Sequence, residues 1–139
     1  VKALRDRLQE GIVSAIPNCF VTGDPDNRLP NTLNVAFEYI EGEAILMLLN
    51  KEGIAASSGS ACTSGSLEPS HVMRAMGIPY TAAHGTIRFS LSRHTSDCDV
   101  EKVIKAMPGI VSRLRKLSPY WDGDKPKANP EEAFAPTYA

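Results

Sequence analysis

Leu4, Leu8, Ile12 and Ile16 recur every fourth residue with Lys2, Arg5, Asp6 and Glu10 between them, which predicts an amphipathic helix ended by Pro17. The stripe is at full strength at Val1, with no methionine and no capping residue ahead of it, so the sequence reads as a piece of a longer or trimmed polypeptide. Gly23-Asp24-Pro25-Asp26-Asn27 is a turn cluster, and Leu33, Val35 and Phe37 then alternate with Thr32, Asn34 and Ala36 as in a half-buried strand. From Gly42 to Asn50 the chain is nearly all apolar, which predicts a buried helix closed by Gly53. Ile54-Ala55-Ala56 reads as a short strand. Glu68 and Pro69 suit a first helical turn, with Val72, Met73 and Met76 on its apolar side and Gly77 as its stop. Ile87, Phe89 and Leu91 alternate with Thr86, Arg88, Ser90 and Ser92, the period of a strand. Ser96 and Asp99 form a capping-box pair before a long stripe from Val100 to Leu117, which Pro108 is expected to kink or break near Met107. Pro119, Pro126, Pro130 and Pro136 then mark an extended tail anchored by Tyr120 and Trp121. The expected fold is α+β: helices packed on a small, mainly antiparallel sheet with strands near residues 19–22, 32–38, 54–56 and 86–92.

Composition narrows the function classes. A chain of 139 residues that is 42% hydrophobic is one domain with its own core. A formal net charge of −1 with no basic run lacks the electrostatic footprint of a nucleic-acid binder. The longest apolar run, Ala44 to Leu49, is too short to cross a bilayer, and no apolar signal core follows the N-terminal basic residues, so the expected location is the cytoplasm. Cys19, Cys62 and Cys98 are odd in number, widely spaced and without the paired spacings of a zinc site, which argues against a disulfide scaffold.

The chemistry converges on one thiol. Residues 57–66, Ser-Ser-Gly-Ser-Ala-Cys-Thr-Ser-Gly-Ser, hold nothing bulkier than threonine, and Cys62 is the only strong nucleophile among them. Such a stretch buries too little apolar area to offset ordering and is expected to be a mobile surface arm between two firm elements. A free thiol ionises near pH 8.5, and nothing adjacent to Cys62 in sequence assists it, so its activating group is expected from a substrate or another domain. Cys19 lies in the apolar segment Ile16 to Val21 as a small hydrophobe, and Cys98 sits between Asp97 and Asp99, whose charges oppose an anionic neighbour. Arg88 shares its strand face with short hydroxyl residues, leaving a planar fork free for a carboxylate, although a solvated strand arginine is the commoner occupant of such a position. His71 and His94 read as surface or structural histidines. His84 is kept as a candidate neighbour of the arm because it precedes the Arg88 strand in the connection Ala82-Ala83-His84-Gly85.

The segment Ser57 to Gly77, followed by His84-Gly85-Thr86-Ile87-Arg88-Phe89-Ser90-Leu91-Ser92-Arg93, closely resembles cysteine desulfurases, pyridoxal-phosphate enzymes of the class V aminotransferase superfamily. Arg28-Leu29-Pro30-Asn31, the strand from Leu33 to Phe37, and Leu114-Arg115-Lys116-Leu117-Ser118-Pro119-Tyr120-Trp121 are similar to the same family. Gly65, His71 and the segment Ile78 to Gly85 resemble most the NifS-like nitrogen-fixation branch.

The resemblance implies that L-cysteine is bound to pyridoxal 5'-phosphate, whose ring acts as an electron sink. It further implies that Cys62 takes the substrate sulfur as a persulfide, releasing L-alanine, and passes it to an iron–sulfur scaffold protein. That persulfide makes Cys62 the one candidate for contact with iron. Arg88 is implied to hold the substrate carboxylate, and the complete enzyme to be a homodimer. No cofactor-binding residue is expected here: Lys2, Lys51, Lys102, Lys105, Lys116, Lys125 and Lys127 all lie outside the family's Schiff-base motif. Residues 1–121 therefore read as the C-terminal small domain of a fold-type I pyridoxal-phosphate enzyme and 122–139 as its tail, expected to be inactive alone. Two other classes stay open at this point: a stand-alone sulfur carrier or scaffold-binding module acting through Cys62, and a cysteine hydrolase, which would need a base and an oxyanion hole that no spacing supplies.

Overall fold

The computed structural model describes residues 1–58, 72, 75–78, 80–122 and 125–126. Helix α1 (Lys2–Ala15) leads to β1 (Cys19–Val21) and β2 (Thr32–Phe37), followed by α2 (Gly42–Lys51) and β3 (Ser57–Ser58). A short α3 (Tyr80–Ala83), β4 (Thr86–Ser90), the long α4 (Asp97–Leu117) and a small hairpin of β5 (Trp121–Asp122) and β6 (Lys125–Pro126) complete the described elements. The four longer-range strands form one antiparallel sheet in the order β1-β2-β4-β3, so the fold is α+β as expected.

Period-2 alternation assigns the sheet's two faces. Leu33, Val35, Phe37, Ile87 and Phe89 are buried in one continuous cluster with Leu8 and Ile12 of α1, Ile45 and Leu49 of α2, and Val100, Met107 and Val111 of α4. The three longer helices thus cover one face of the sheet, each through a single apolar stripe, since burial of these side chains is what orders otherwise marginal helices. The opposite face carries Thr32, Asn34 and Ala36 across from Ser90, Arg88 and Thr86. At its Ala36/Thr86 end the sheet is closed over: α3 packs against β2, Ala82 and Ala83 are buried, and the Thr86 hydroxyl donates to the Ala83 carbonyl at 3.2 Å.

Four details of the pattern are corrected. Helix α2 is buried on one side only, with Ile45 and Leu49 inside and Met47 67% exposed, because even an apolar helix at the edge of a three-helix layer has an outer face. The third strand is Ser57–Ser58 and not 54–56. Ile54 N–H is already committed to the Leu49 carbonyl and Gly53 N–H to Asn50, both at 3.0 Å, a Schellman ending that Gly53 permits at φ +74. Helix α4 runs unbroken through Pro108. The proline removes one N–H, while Met107, Ile110 and Val111 stay buried on either side of it and hold the helix together. Finally, Thr86 is fully buried, so the hydroxyl-lined face beside Arg88 is narrower than the alternation suggests.

The end of α4 is secured as expected by Trp121. Its indole N–H donates to the Glu38 carbonyl at 3.3 Å, its ring meets Tyr39 edge-on at 6.2 Å, and the Arg115 guanidinium stacks 4.1 Å from the ring centroid. Arg115 also donates to the Asn18 carbonyl at 3.1 Å, tying α4 to the start of β1. The capping box at the start of α4 is present in full, with Ser96 and Asp99 exchanging bonds. No helix among the described residues is long and apolar enough to cross a membrane.

Candidate active site on the open face of the sheet

Register builds the site. Arg88, in the middle of β4, lies opposite Asn34 on β2 and opposite Ser57 on β3, so a polar row crosses the open face of three strands. Thr22, the residue after β1, extends the row. The Asn34 side-chain amide donates to the Thr22 hydroxyl at 2.7 Å, and Thr22 N–H donates to the Asn34 carbonyl at 3.0 Å. Arg88 is exposed, and among the described residues its guanidinium has no hydrogen-bond or ion-pair partner. A permanently charged planar fork held on a strand and left unpaired is a receptor for a carboxylate or a phosphate.

Cys62 lies outside the described residues, as do His71 and the body of the arm. Ser57 and Ser58, the last described residues before it in the sequence, pair with Arg88 and Ile87. Whether His84 neighbours the arm falls outside the described residues. It precedes β4 at the closed end of the sheet, its carbonyl accepts from Gly42 N–H at 2.7 Å, and its ring is half-buried. Burial holds its pKa below the ordinary 6.5, with the negative charge of Glu41 pulling weakly the other way. It lies four positions before Arg88 along the chain, a span of at most about 13 Å at strand spacing.

The other thiols stand apart from the polar row. Cys19 is half-buried with its Sγ donating to the Ile16 carbonyl at 3.1 Å, and burial pushes its thiol up despite the positive charge of Arg115. Cys98 is exposed in the first turn of α4, on the helix layer and away from the polar row. His94 is exposed and accepts from Arg93 Nε at 3.2 Å, a loop histidine as expected. Among the described residues no group of histidine, cysteine and carboxylate side chains could hold a metal ion. The described side chains of Lys2, Lys51, Lys102, Lys105 and Lys116 are all exposed, so none has the desolvated setting of a Schiff-base lysine, and they do not fit a resident pyridoxal phosphate.

Thr22, Asn34 and Ser57 are site residues that sequence reasoning did not single out. The alternation around Asn34 put it on a polar strand face, but only the register makes it a neighbour of Arg88.

The family described as Aminotransferase class-V matches residues 1–103. The cysteine desulfurase of Azotobacter chroococcum mcd 1 is 70% identical over 138 residues, 99% of this chain and 35% of that protein. The cysteine desulfurase NifS of Azotobacter vinelandii is also 70% identical over 138 residues, 99% of this chain and 34% of that protein. The chain thus spans about a third of the length of these relatives. Among solved structures, a NifS-like protein from Rickettsia africae ESF-5 superposes with a TM-score of 0.67 at 29% identity, over 78% of this chain and 27% of that one. A second NifS-like protein gives 0.68 at 30% identity, over 81% and 27%. From the match over most of its length, and from the fold it shares with these structures, the chain belongs to the class-V aminotransferase family.

Proposed function

We propose that this chain is the sulfur-accepting part of a cysteine desulfurase of the nitrogen-fixation type, with residues 1–121 as its C-terminal small domain and 122–139 as a tail. The observation that supports the reading is the pairing of Ser57 with Arg88, whose guanidinium has no partner among the described residues. The 70% identity to two Azotobacter cysteine desulfurases supports the same assignment.

In this reading Arg88 binds the carboxylate of L-cysteine through two parallel N–H donors and so sets where the substrate sulfur sits. The Cys62 thiolate attacks that sulfur. A sulfur–sulfur bond forms as the substrate's Cβ–S bond breaks, the bonding pair stays with the carbon skeleton, and protonation there yields L-alanine. Pyridoxal phosphate, held by parts of the enzyme outside this chain, supplies the electron sink that makes the Cβ–S bond labile. The arm suits the second half of the task, delivery of the persulfide sulfur to an iron–sulfur scaffold protein in nitrogenase maturation, because residues with small side chains offer little resistance to relocation. The complete enzyme is a homodimer in this proposal.

Sulfur-labelled cysteine tests it in the complete enzyme. Cys62→Ala is expected to abolish labelled persulfide on the protein, and Arg88→Ala to raise KM for L-cysteine about ten- to a hundredfold, the loss of two charge-assisted hydrogen bonds offset by water. Persulfide label retained on Cys62→Ala would remove Cys62 from the reaction.

A further inference from the structure

We propose that the cavity between the end of α2, the end of β4 and the first turns of α4 is a binding site for a free α-amino acid with an aliphatic side chain about the size of that of leucine. The site is independent of the sulfur-transfer reading. The cavity measures about 250 Å³, small for a ligand pocket and on the scale of a single amino acid. Leu8, Ile54, Phe89, Leu91 and Val103 supply its apolar wall, and Asp99 and Lys102 line it with charges of opposite sign. Leu8, Phe89 and Leu91 are at most 5% exposed, so that wall belongs to the core and gives a side chain a firm bed.

The sheet itself opens into the cavity. Strand β3 pairs with β4 only at Ser57↔Arg88 and Ser58↔Ile87. The next rung would set Ala55 against Ser90, but the chain has turned off by then, since Ile54 N–H is bound to the Leu49 carbonyl at 3.0 Å. Leu91 N–H goes to the Asn31 carbonyl on the β2 side at 2.8 Å, so by alternation the N–H and C=O of Ser90 point the other way, where no rung receives them. Ser90 and Ala55 both line the cavity. A carboxylate accepts from such an N–H, and an ammonium donates to such a C=O.

The two charged side chains repeat that division. Lys102 Nζ lies 3.4 Å from where a β-carbon on Gly53 would stand, which puts the ammonium over the α2 wall. Asp99 Oδ2 takes the Ser96 N–H at 2.8 Å and the Ser96 hydroxyl at 2.9 Å, while Oδ1 makes no hydrogen bond among the described residues. The Ser96 bonds, with a smaller contribution from the charge of Lys102, hold the Asp99 carboxyl below its ordinary 3.8, so it is an anion at neutral pH. Among the described residues neither Lys102 nor Asp99 forms an ion pair with the other. A zwitterion answers both: its carboxylate meets Lys102 and Ser90 N–H, its ammonium meets Asp99 Oδ1 and the Ser90 carbonyl, and its side chain covers the apolar wall. A peptide segment laid along β4 would bring amide groups without the charges and leave both side chains unanswered.

Equilibrium dialysis of radiolabelled L-leucine against the complete enzyme tests the site. Saturable uptake with Kd at about the millimolar level is expected, and isocaproate, which lacks the ammonium, and N-acetyl-L-leucine amide, which lacks both charges, should bind about tenfold or more weakly. Lys102→Met and Asp99→Asn should each weaken L-leucine binding about ten- to a hundredfold, the second keeping a side-chain oxygen for the Ser96 cap. Ile54→Trp fills the cavity and should abolish uptake. Far-UV circular dichroism shows whether each variant is folded, and exposed Lys102 is the position least able to disturb the fold. The absence of saturable uptake up to about 50 mM L-leucine would overturn the proposal. Uptake unchanged in Lys102→Met and Asp99→Asn would overturn it as well, because the amino acid would then sit elsewhere, the substrate site included. Equal affinity for N-acetyl-L-leucine amide would overturn it in favour of an open strand edge that accepts any peptide group.

Discussion

Replacing Gly85 with alanine should unseat the end of β4 that sets the site's register. A β-carbon there would lie 2.1 Å from the Phe37 carbonyl oxygen and 2.7 Å from that of Ile40. Both obstacles are backbone, so the clash is relieved only by moving the entry of β4 away from the end of β2. That motion pulls on two bonds: Phe37 N–H to the Gly85 carbonyl at 3.0 Å, and Gly42 N–H to the His84 carbonyl at 2.7 Å. Each buried amide that loses its partner costs about 1–3 kcal/mol, or roughly 2–6 kcal/mol for the pair. The stiffer unfolded chain returns about 0.4–1 kcal/mol, leaving a net loss of about 3 kcal/mol near the middle of the range. Gly109→Ala is the control, because nothing lies within 4 Å of a β-carbon at that exposed helical position. There the same change is expected to stabilise the protein by about 0.5–1 kcal/mol. Urea unfolding followed by the fluorescence of Trp121, the chain's single tryptophan, reads both variants in parallel. A Gly85→Ala variant within about 1 kcal/mol of the parent, with Gly109→Ala behaving as expected, would refute the close-approach reasoning.

Two further outcomes follow from the packing. Trp121→Ala removes a nearly buried indole and the ring on which Arg115 stacks, for an expected loss of about 3–5 kcal/mol by far-UV circular dichroism in urea; a loss under about 1 kcal/mol would show that the domain holds without this anchor. His84 gives a pH dependence whose sign is set by burial: its folded pKa lies below the unfolded 6.5, so the unfolded state binds more protons between the two values. Its contribution to stability is complete above about pH 6.5 and is lost as pH falls through that value toward the folded pKa, and His84→Gln should flatten this limb in unfolding experiments run from pH 7.5 to 5.

Much of the fold was legible because hydrophobic period is a local property. The stripes of α1 and α4, the alternation of β2 and β4 and the Ser96/Asp99 capping box each follow from residues within a few positions of one another. The misreadings were of a different kind. The strand expected at 54–56 failed because Ile54 N–H is spent on ending α2, and the break expected at Pro108 failed because core contacts on both sides outweigh one missing hydrogen bond. Both depend on where a group's partner is, which local pattern does not specify.

The same division holds for the site. Sequence alone determined that Cys62 sits in a run of small residues and that Arg88 occupies the polar face of a strand, since side-chain chemistry and alternation are written in order along the chain. Only tertiary structure decided that Ser57 and Asn34 flank Arg88, that Thr22 clamps Asn34, and that His84 belongs to the closed end of the sheet. Strand order and register come from burying one face of the sheet under three helices at once. A one-residue slip would turn the whole apolar set of a strand outward, so packing of the core is what places the polar residues beside one another.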